Sequence, residues 1–227
     1  MTTHILTGAG SGIGRVLAER LRGRGDHLVL LVRDAGRVEE LRPAFPEAEL
    51  VEADLARPES LEGIASRLPD SADSLVHCAG RVDLGPVAEL DLTSWETQLA
   101  VNLTAPALLT RELLPALRAA RGTVVFVNSG AGLSAGPGWS GYAASKFGLR
   151  ALADSLRAEE AGHGVRVTSV FPGRTATPMQ ERVHDHEGRA YDAGRWLRPE
   201  TVADAVLQAL DLPRDGTVPE IVLRPLP

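Results

Sequence analysis

Tyr142 and Lys146 stand four positions apart in a stretch that reads as a helix, so their side chains leave one face about one turn apart. Such a pair can move a proton. A free phenol titrates near ~10, too high for efficient transfer at neutral pH, and a neighbouring ammonium favours the phenolate. Each unit of lowering corresponds to about 1.4 kcal/mol of preferential phenolate stabilisation, so a useful shift needs close, partly desolvated charges. The expectation is that Lys146 pulls the Tyr142 pKa down and that Tyr142 serves as general acid and base. On its own, the same spacing occurs in any amphipathic helix.

A second group lies near the start, where a short apolar run leads into Thr7-Gly8-Ala9-Gly10-Ser11-Gly12-Ile13-Gly14 and then into a helical pattern. Glycines gather here at a strand-to-helix turn that exposes amides. Gly8 would permit the tight turn, Gly12 would let backbone approach phosphates, and Gly14 would let the helix pack on the sheet. Ser11 and Ile13 sit between them at the helix N-terminus, whose partial positive charge favours an anion. A glycine-rich turn alone is a weak signal, and its strand-to-helix setting strengthens it. The Gly-Lys-Ser/Thr ending of an ATPase phosphate loop is missing, which favours a dinucleotide over ATP.

The elements that must hold these groups follow a βαβ rhythm. Short β-branched or leucine-rich runs at His4–Thr7, His27–Val32, Ala48–Glu52, Ser74–His77, Thr123–Val127, Arg166–Phe171 and Ile221–Leu223 alternate with helical spacing such as Ile13, Val16, Leu17 and Leu21. Right-handed crossovers then give an α/β fold, a Rossmann-like doubly wound, seven-stranded parallel sheet with helices on both faces. No linker, repeat or low-complexity tract divides the chain, so residues 1–227 read as one domain. Long helices are expected at Leu92–Ala120 and Gly141–Ala161. The irregular stretch Pro172–Pro199 follows the sixth strand, where such a sheet opens, and residues 178–198 read as a substrate-covering loop.

Composition narrows the function. The 44% hydrophobic content suffices for a substantial core, and 23 glycines with only 4% aromatics suit close backbone packing. A net charge of −6 with scattered arginines argues against nucleic-acid binding. Apolar runs such as Leu28–Val32 are far shorter than the ~20 residues that span a bilayer, and the start lacks a basic leader, so a soluble, cytoplasmic protein is expected. The single cysteine, Cys78, reads as a small packed hydrophobe. His184, Asp185, His186 and Glu187 are too crowded for a two-histidine metal motif and read as a solvated loop, so no metal is expected.

Taken together, Thr7-Gly8-x-x-x-Gly12-Ile13-Gly14, Tyr142-x-x-x-Lys146 and the upstream Ser129 closely resemble the short, single-domain branch of the short-chain dehydrogenase/reductase family. Asp54-Leu55, Ala79-Gly80, Asn102 and the run from Pro172-Gly173 through Thr175 to Thr177 extend the likeness over essentially the whole chain. The resemblance implies that Asp54 and Leu55 contact adenine, that Ala79 and Gly80 line the ribose-nicotinamide path, and that Thr177 holds the carboxamide, with Pro172, Gly173 and Thr175 beside it. It implies that Tyr142 and Lys146 also touch the cofactor, that Ser129 polarises the reacting oxygen, and that Asn102 anchors a water relaying protons from Lys146. It further implies pairing of the two long helices into a homodimer or homotetramer. His77-Cys78 replaces the asparagine-containing pair usual before Ala-Gly, which alters side-chain hydrogen bonding there.

The cofactor preference is read at the end of the second strand. Val32 occupies the position where an acid would receive the ribose hydroxyls, and Arg33 follows, able to bind a 2′-phosphate through paired bonds. Asp34, one residue on, should aim away. NADP(H) is therefore expected over NAD(H), with a ketone, aldehyde or quinone and its alcohol as substrates. Trp139, Met179 and Trp196 flank the presumed substrate position. A non-catalytic nucleotide sensor or scaffold is the rival from another class, and intact Ser129, Tyr142 and Lys146 argue against it. A sugar-nucleotide epimerase or dehydratase would need a further substrate-binding region after the sheet.

Overall fold

The computed structural model describes residues 2–226. Seven strands, β1 (Thr3–Thr7), β2 (His27–Val32), β3 (Glu49–Glu52), β4 (Ser74–His77), β5 (Thr123–Val127), β6 (Arg166–Pro172) and β7 (Glu220–Leu223), form one parallel sheet in the order β3-β2-β1-β4-β5-β6-β7. The expected Rossmann-like architecture is present. Strand β2 shows why its sequence is apolar after His27: Val29 and Leu31 face one core while Leu28, Leu30 and Val32 face the other. Chain order reverses between β1 and β4, whose ends Thr7 and His77 lie side by side. The crevice of a doubly wound sheet opens there.

Helices α1 (Gly12–Gly23), α2 (Ala35–Leu41) and α7 (Pro199–Asp211) cover one face; α3 (Leu92–Leu99), α4 (Ala105–Ala120) and α5 (Ser140–Glu160) cover the other. Leu17 and Leu21 of α1 meet Val202 and Val206 of α7 over Leu30 and Val76. Opposite them, Leu109 and Leu113 of α4 join Leu149 and Ala153 of α5 over Ile5 and Val124. Burial of each such side chain contributes roughly 1.5–3 kcal/mol, which locks both helical layers against the sheet.

Three expectations are corrected. The helix expected over Leu92–Ala120 is interrupted by a π turn at Ala100–Thr104, in which Ala105 N–H reaches back to the Ala100 carbonyl. Pro106 lacks the N–H that would ordinarily meet the Asn102 carbonyl, so a regular α ladder cannot run through this point. The segment read as a loop, 178–198, instead begins as helix α6 (Pro178–Glu187), capped by Thr177 at its start and by left-handed Gly188 at its end. Accordingly His184 is not in a solvated loop: it is 3% exposed, hydrogen-bonded to Gln180 and edge-on to Tyr191. Between β3 and β4 the crossover is made by two 3₁₀ turns, Pro58–Leu61 and Ile64–Arg67, whose Leu61 and Ile64 still reach the core.

Candidate active site

The glycine turn is held in place by β1. The Thr7 hydroxyl accepts the backbone N–H groups of Cys78 and Ala79, both at 3.1 Å, and so ties the turn to the loop after β4. Gly8 has φ +76°, and a Cβ there would lie 2.6 Å from the Ala79 nitrogen; a Cβ on Gly14 would collide with the Gly8 carbonyl oxygen. Gly12, at φ +55°, brings the turn against Thr177, 3.0 Å from where its own Cβ would be. Ser11 is the N-cap of α1 but makes no side-chain capping bond, and Ser11, Ile13 and Gly14 all face the crevice. The turn thus has the bare backbone and helix N-terminus that a pyrophosphate needs. The fit is to a dinucleotide.

This crevice is a cavity of about 820 Å³ along the carboxyl ends of the strands, within the range of small-molecule and cofactor sites. At one end lie Val32, Arg33, Asp54 and Leu55. Asp34 is turned away from any ribose: one oxygen accepts Arg37 N–H at 3.0 Å and caps α2, and the other accepts Arg33 Nε at 2.8 Å. Arg37, unremarked in the sequence, also faces the cavity, its Nη1 3.8 Å from where a Gly10 Cβ would sit. Asp54 closes its own turn by accepting Ala56 N–H.

At the other end, Ser129 follows β5, and Tyr142 and Lys146 occupy the first two turns of α5. Tyr142 is 7% exposed, with Trp139 edge-on at 5.9 Å. Lys146 is 2% exposed; its Nζ lies 5.7 Å from the phenol ring centre and donates to the Val127 carbonyl at 3.1 Å. Burial lowers the Lys146 pKa to about 8. The expected lowering at Tyr142 is not found: burial pushes its pKa up, and the Ser129 hydroxyl acts in the opposite direction. In this fold desolvation outweighs the Ser129 hydrogen bond.

Asn102, in the π turn, is buried, and both its amide protons are used, on the Arg81 carbonyl at 2.8 Å and Ser145 Oγ at 3.0 Å. Its Oδ1 accepts Arg81 N–H and lies 3.5 Å from where a Gly80 Cβ would be. The side chain therefore fixes the Gly80-Arg81 turn against α5. Asn128, missed in the sequence, holds this end of the cavity together by donating to the Lys146 carbonyl and accepting Ser129 N–H. An asparagine ending a wholly buried strand was the available signal.

Pro172, Gly173, Thr175 and Thr177 close the same cavity. Thr175 donates to the Gly173 carbonyl and Thr177 to that of Thr175, so both hydroxyls shape the run into α6. Ala79 and Gly80 form the facing wall. Met179 and Trp139 line the cavity, whereas Trp196 packs on His184 and Arg174 outside it. Cys78 also faces it, but burial pushes its thiol up to about 12, which leaves it protonated and unreactive.

A family model described as short chain dehydrogenase matches residues 2–188. The glycine betaine reductase of Emericella nidulans is 32% identical over 97% of the chain, and the chain spans 18% of that protein's length. An uncharacterized oxidoreductase of Staphylococcus epidermidis is 29% identical over 98% of the chain and 96% of its own. Among solved structures, an alcohol dehydrogenase from the archaeon Thermococcus sibiricus, complexed with 5-hydroxy-NADP, superposes with a TM-score of 0.88 at 25% identity, covering 100% of this chain and 97% of that one.

Proposed function

Because the chain belongs to the short-chain dehydrogenase family, we propose that it is an NADP(H)-dependent oxidoreductase interconverting a ketone, aldehyde or quinone with the corresponding alcohol, Tyr142 moving the proton. The observation that carries this reading is the convergence of Ser129, Tyr142, Lys146 and Gly80, whose neighbour Arg81 is pinned by Asn102, in the cavity whose far end is the glycine turn. When bound, the nicotinamide supplies or accepts the hydride.

In reduction, the buried Tyr142 phenol is protonated at neutral pH, as a donor must be, and passes its proton to the carbonyl oxygen as negative charge develops there. Ser129 orients that oxygen through its hydroxyl. With a pKa near 8, Lys146 is mostly charged at pH 7 and stabilises the phenolate left behind. The proton is restored from Lys146 through water at Asn102. In oxidation the same groups act in reverse.

The phosphate-reading end supports NADP(H): Val32 offers no acceptor to ribose hydroxyls, Asp34 is engaged elsewhere, and Arg33 and Arg37 border the cavity. The archaeal relative's 5-hydroxy-NADP complex supports the same choice. Pairing through α3, α4 and α5 into a two-fold dimer is part of the reading, since Leu92 and Phe147 there are 64% and 42% exposed.

The test is a screen of ketones, quinones and alcohols, following cofactor absorbance, with wild type and Tyr142→Phe. Turnover by wild type and a loss of ~10²–10⁴-fold in the variant, with NADPH affinity kept, is expected. Tight NADPH binding with no turnover of any compound would instead favour a sensor.

A further inference from the structure

The catalytic end of the cavity is lined by arginines. Arg81, Arg174, Arg182 and Arg224 face it, while Asp54, at the opposite end, is the one acidic side chain among its described lining residues. In a chain of net charge −6 this is a local inversion of sign. Arg81 pairs with Asp83 at 2.7 Å, and Arg174 holds Glu187 through bonds of 2.8 and 2.6 Å. Among the described residues no carboxylate pairs with Arg224.

Arg224 directly follows β7. Its Nη1 donates to the carbonyls of Phe171 and Leu223 at 3.1 and 2.9 Å, which anchors the guanidinium at the carboxyl ends of β6 and β7. A Cβ on Gly130, beside Ser129, would lie 3.6 Å from Nη1, and a Cβ on Gly173 would lie 3.6 Å from Cδ. The side chain thus lies in van der Waals reach of both glycine positions. With Nη1 tethered, the Nε and Nη2 protons make no bond to the described protein, and together they form the planar fork that holds a carboxylate through two parallel, charge-assisted bonds. Pre-anchoring lowers the ordering cost of such a contact.

We propose, resting on the dehydrogenase reading above, that Arg224 is a specificity-determining residue that binds a carboxylate of the substrate, so that oxo acids and their hydroxy acids are preferred over neutral carbonyl compounds. Arg182, exposed on α6 and facing the same cavity, adds charge of the same sign.

Paired acid and ester forms of one compound provide the test: acetoacetate with methyl acetoacetate, and 4-oxopentanoate with its methyl ester, each with NADPH. Wild type should show the higher kcat/KM on the acids. Arg224→Met should lower the acid-to-ester ratio about ten- to a hundredfold, and Arg224→Lys should restore part of it. An identical ratio in wild type and an equally stable Arg224→Met overturns the proposal. Binding without turnover separates it from the dehydrogenase reading. With NADPH present, which cannot accept hydride from an alcohol, 3-hydroxybutanoate should quench tryptophan fluorescence at lower concentration than its methyl ester, and Arg224→Met should abolish the difference. Equal or undetectable binding of the acid overturns the role of Arg224, whereas selective binding of the acid with no turnover of any probe counts against the dehydrogenase reading alone.

Discussion

Lys146 is a cation held out of water with one backbone carbonyl for company. An unfolded lysine keeps its proton up to about pH 10.5 and the folded one only to about 8, so the unfolded chain binds more protons between those values. Stability therefore rises with pH across that window. Below about pH 8 the full cost applies, on the order of 3 kcal/mol. Lys146→Met should consequently melt above wild type at pH 7, with the gap closing towards pH 10, while losing turnover; a variant that melts lower throughout would contradict this. At the other end of the cavity, Arg33 already shares its Nε with Asp34, so a 2′-phosphate would be met by its remaining donors and by Arg37. Arg33→Ala and Arg37→Ala should each weaken NADPH binding by about ten- to a hundredfold, and titration with NADH should show little change. Equal losses for the two nucleotides would show that neither arginine reads the phosphate.

The glycines of the first turn are not equivalent. At Gly14 a Cβ meets the Gly8 carbonyl oxygen, a backbone atom that no rotamer can move aside; at Gly10 the nearest atom is a flexible guanidinium 3.8 Å away. Gly14→Ala should cost at least about 1–3 kcal/mol in thermal or urea unfolding and abolish NADPH binding, while Gly10→Ala should be tolerated in both assays. The same distinction between local and remote causes explains what could be read from the chain. Strands β2 and β5 were legible because burial on both faces demands near-continuous apolar runs, Leu28–Val32 and Val124–Val127. Tyr142, Lys146 and the glycine turn were legible because their spacing is local. Helix α6 was not, although Thr177-Pro178 and Gly188 mark its limits: its buried positions, Gln180, Val183 and His184, include two polar residues, so it carries no apolar stripe. The π turn hid because Pro106 can equally open a new helix, and Arg37, Asn128 and Arg224 hid because tertiary packing alone brings them to the cavity.

For the whole molecule, the helical face of α3, α4 and α5 is the surface on which self-association is expected. Light scattering at micromolar concentration should give at least a dimer mass, and Phe147→Glu, which puts charge on that exposed face, should shift it towards monomer. A stable monomer in wild type would rule the assembly out. The position of β1 inside the sheet, between β2 and β4, carries a consequence for how the molecule forms. Its first neighbour, β2, lies one helix along the chain, where Thr3 pairs with His27, but its second, β4, arrives only after some seventy residues, when His4 meets Ser74. Until that closure, the β1–β2–β3 segment exposes a flat apolar edge with unpaired amides and carbonyls, and loop entropy delays the one strand that can cover it. Refolding should therefore be a contest between a slow first-order closure within one chain and a second-order encounter between open edges of two chains, and the yield of native protein falls as the refolding concentration rises.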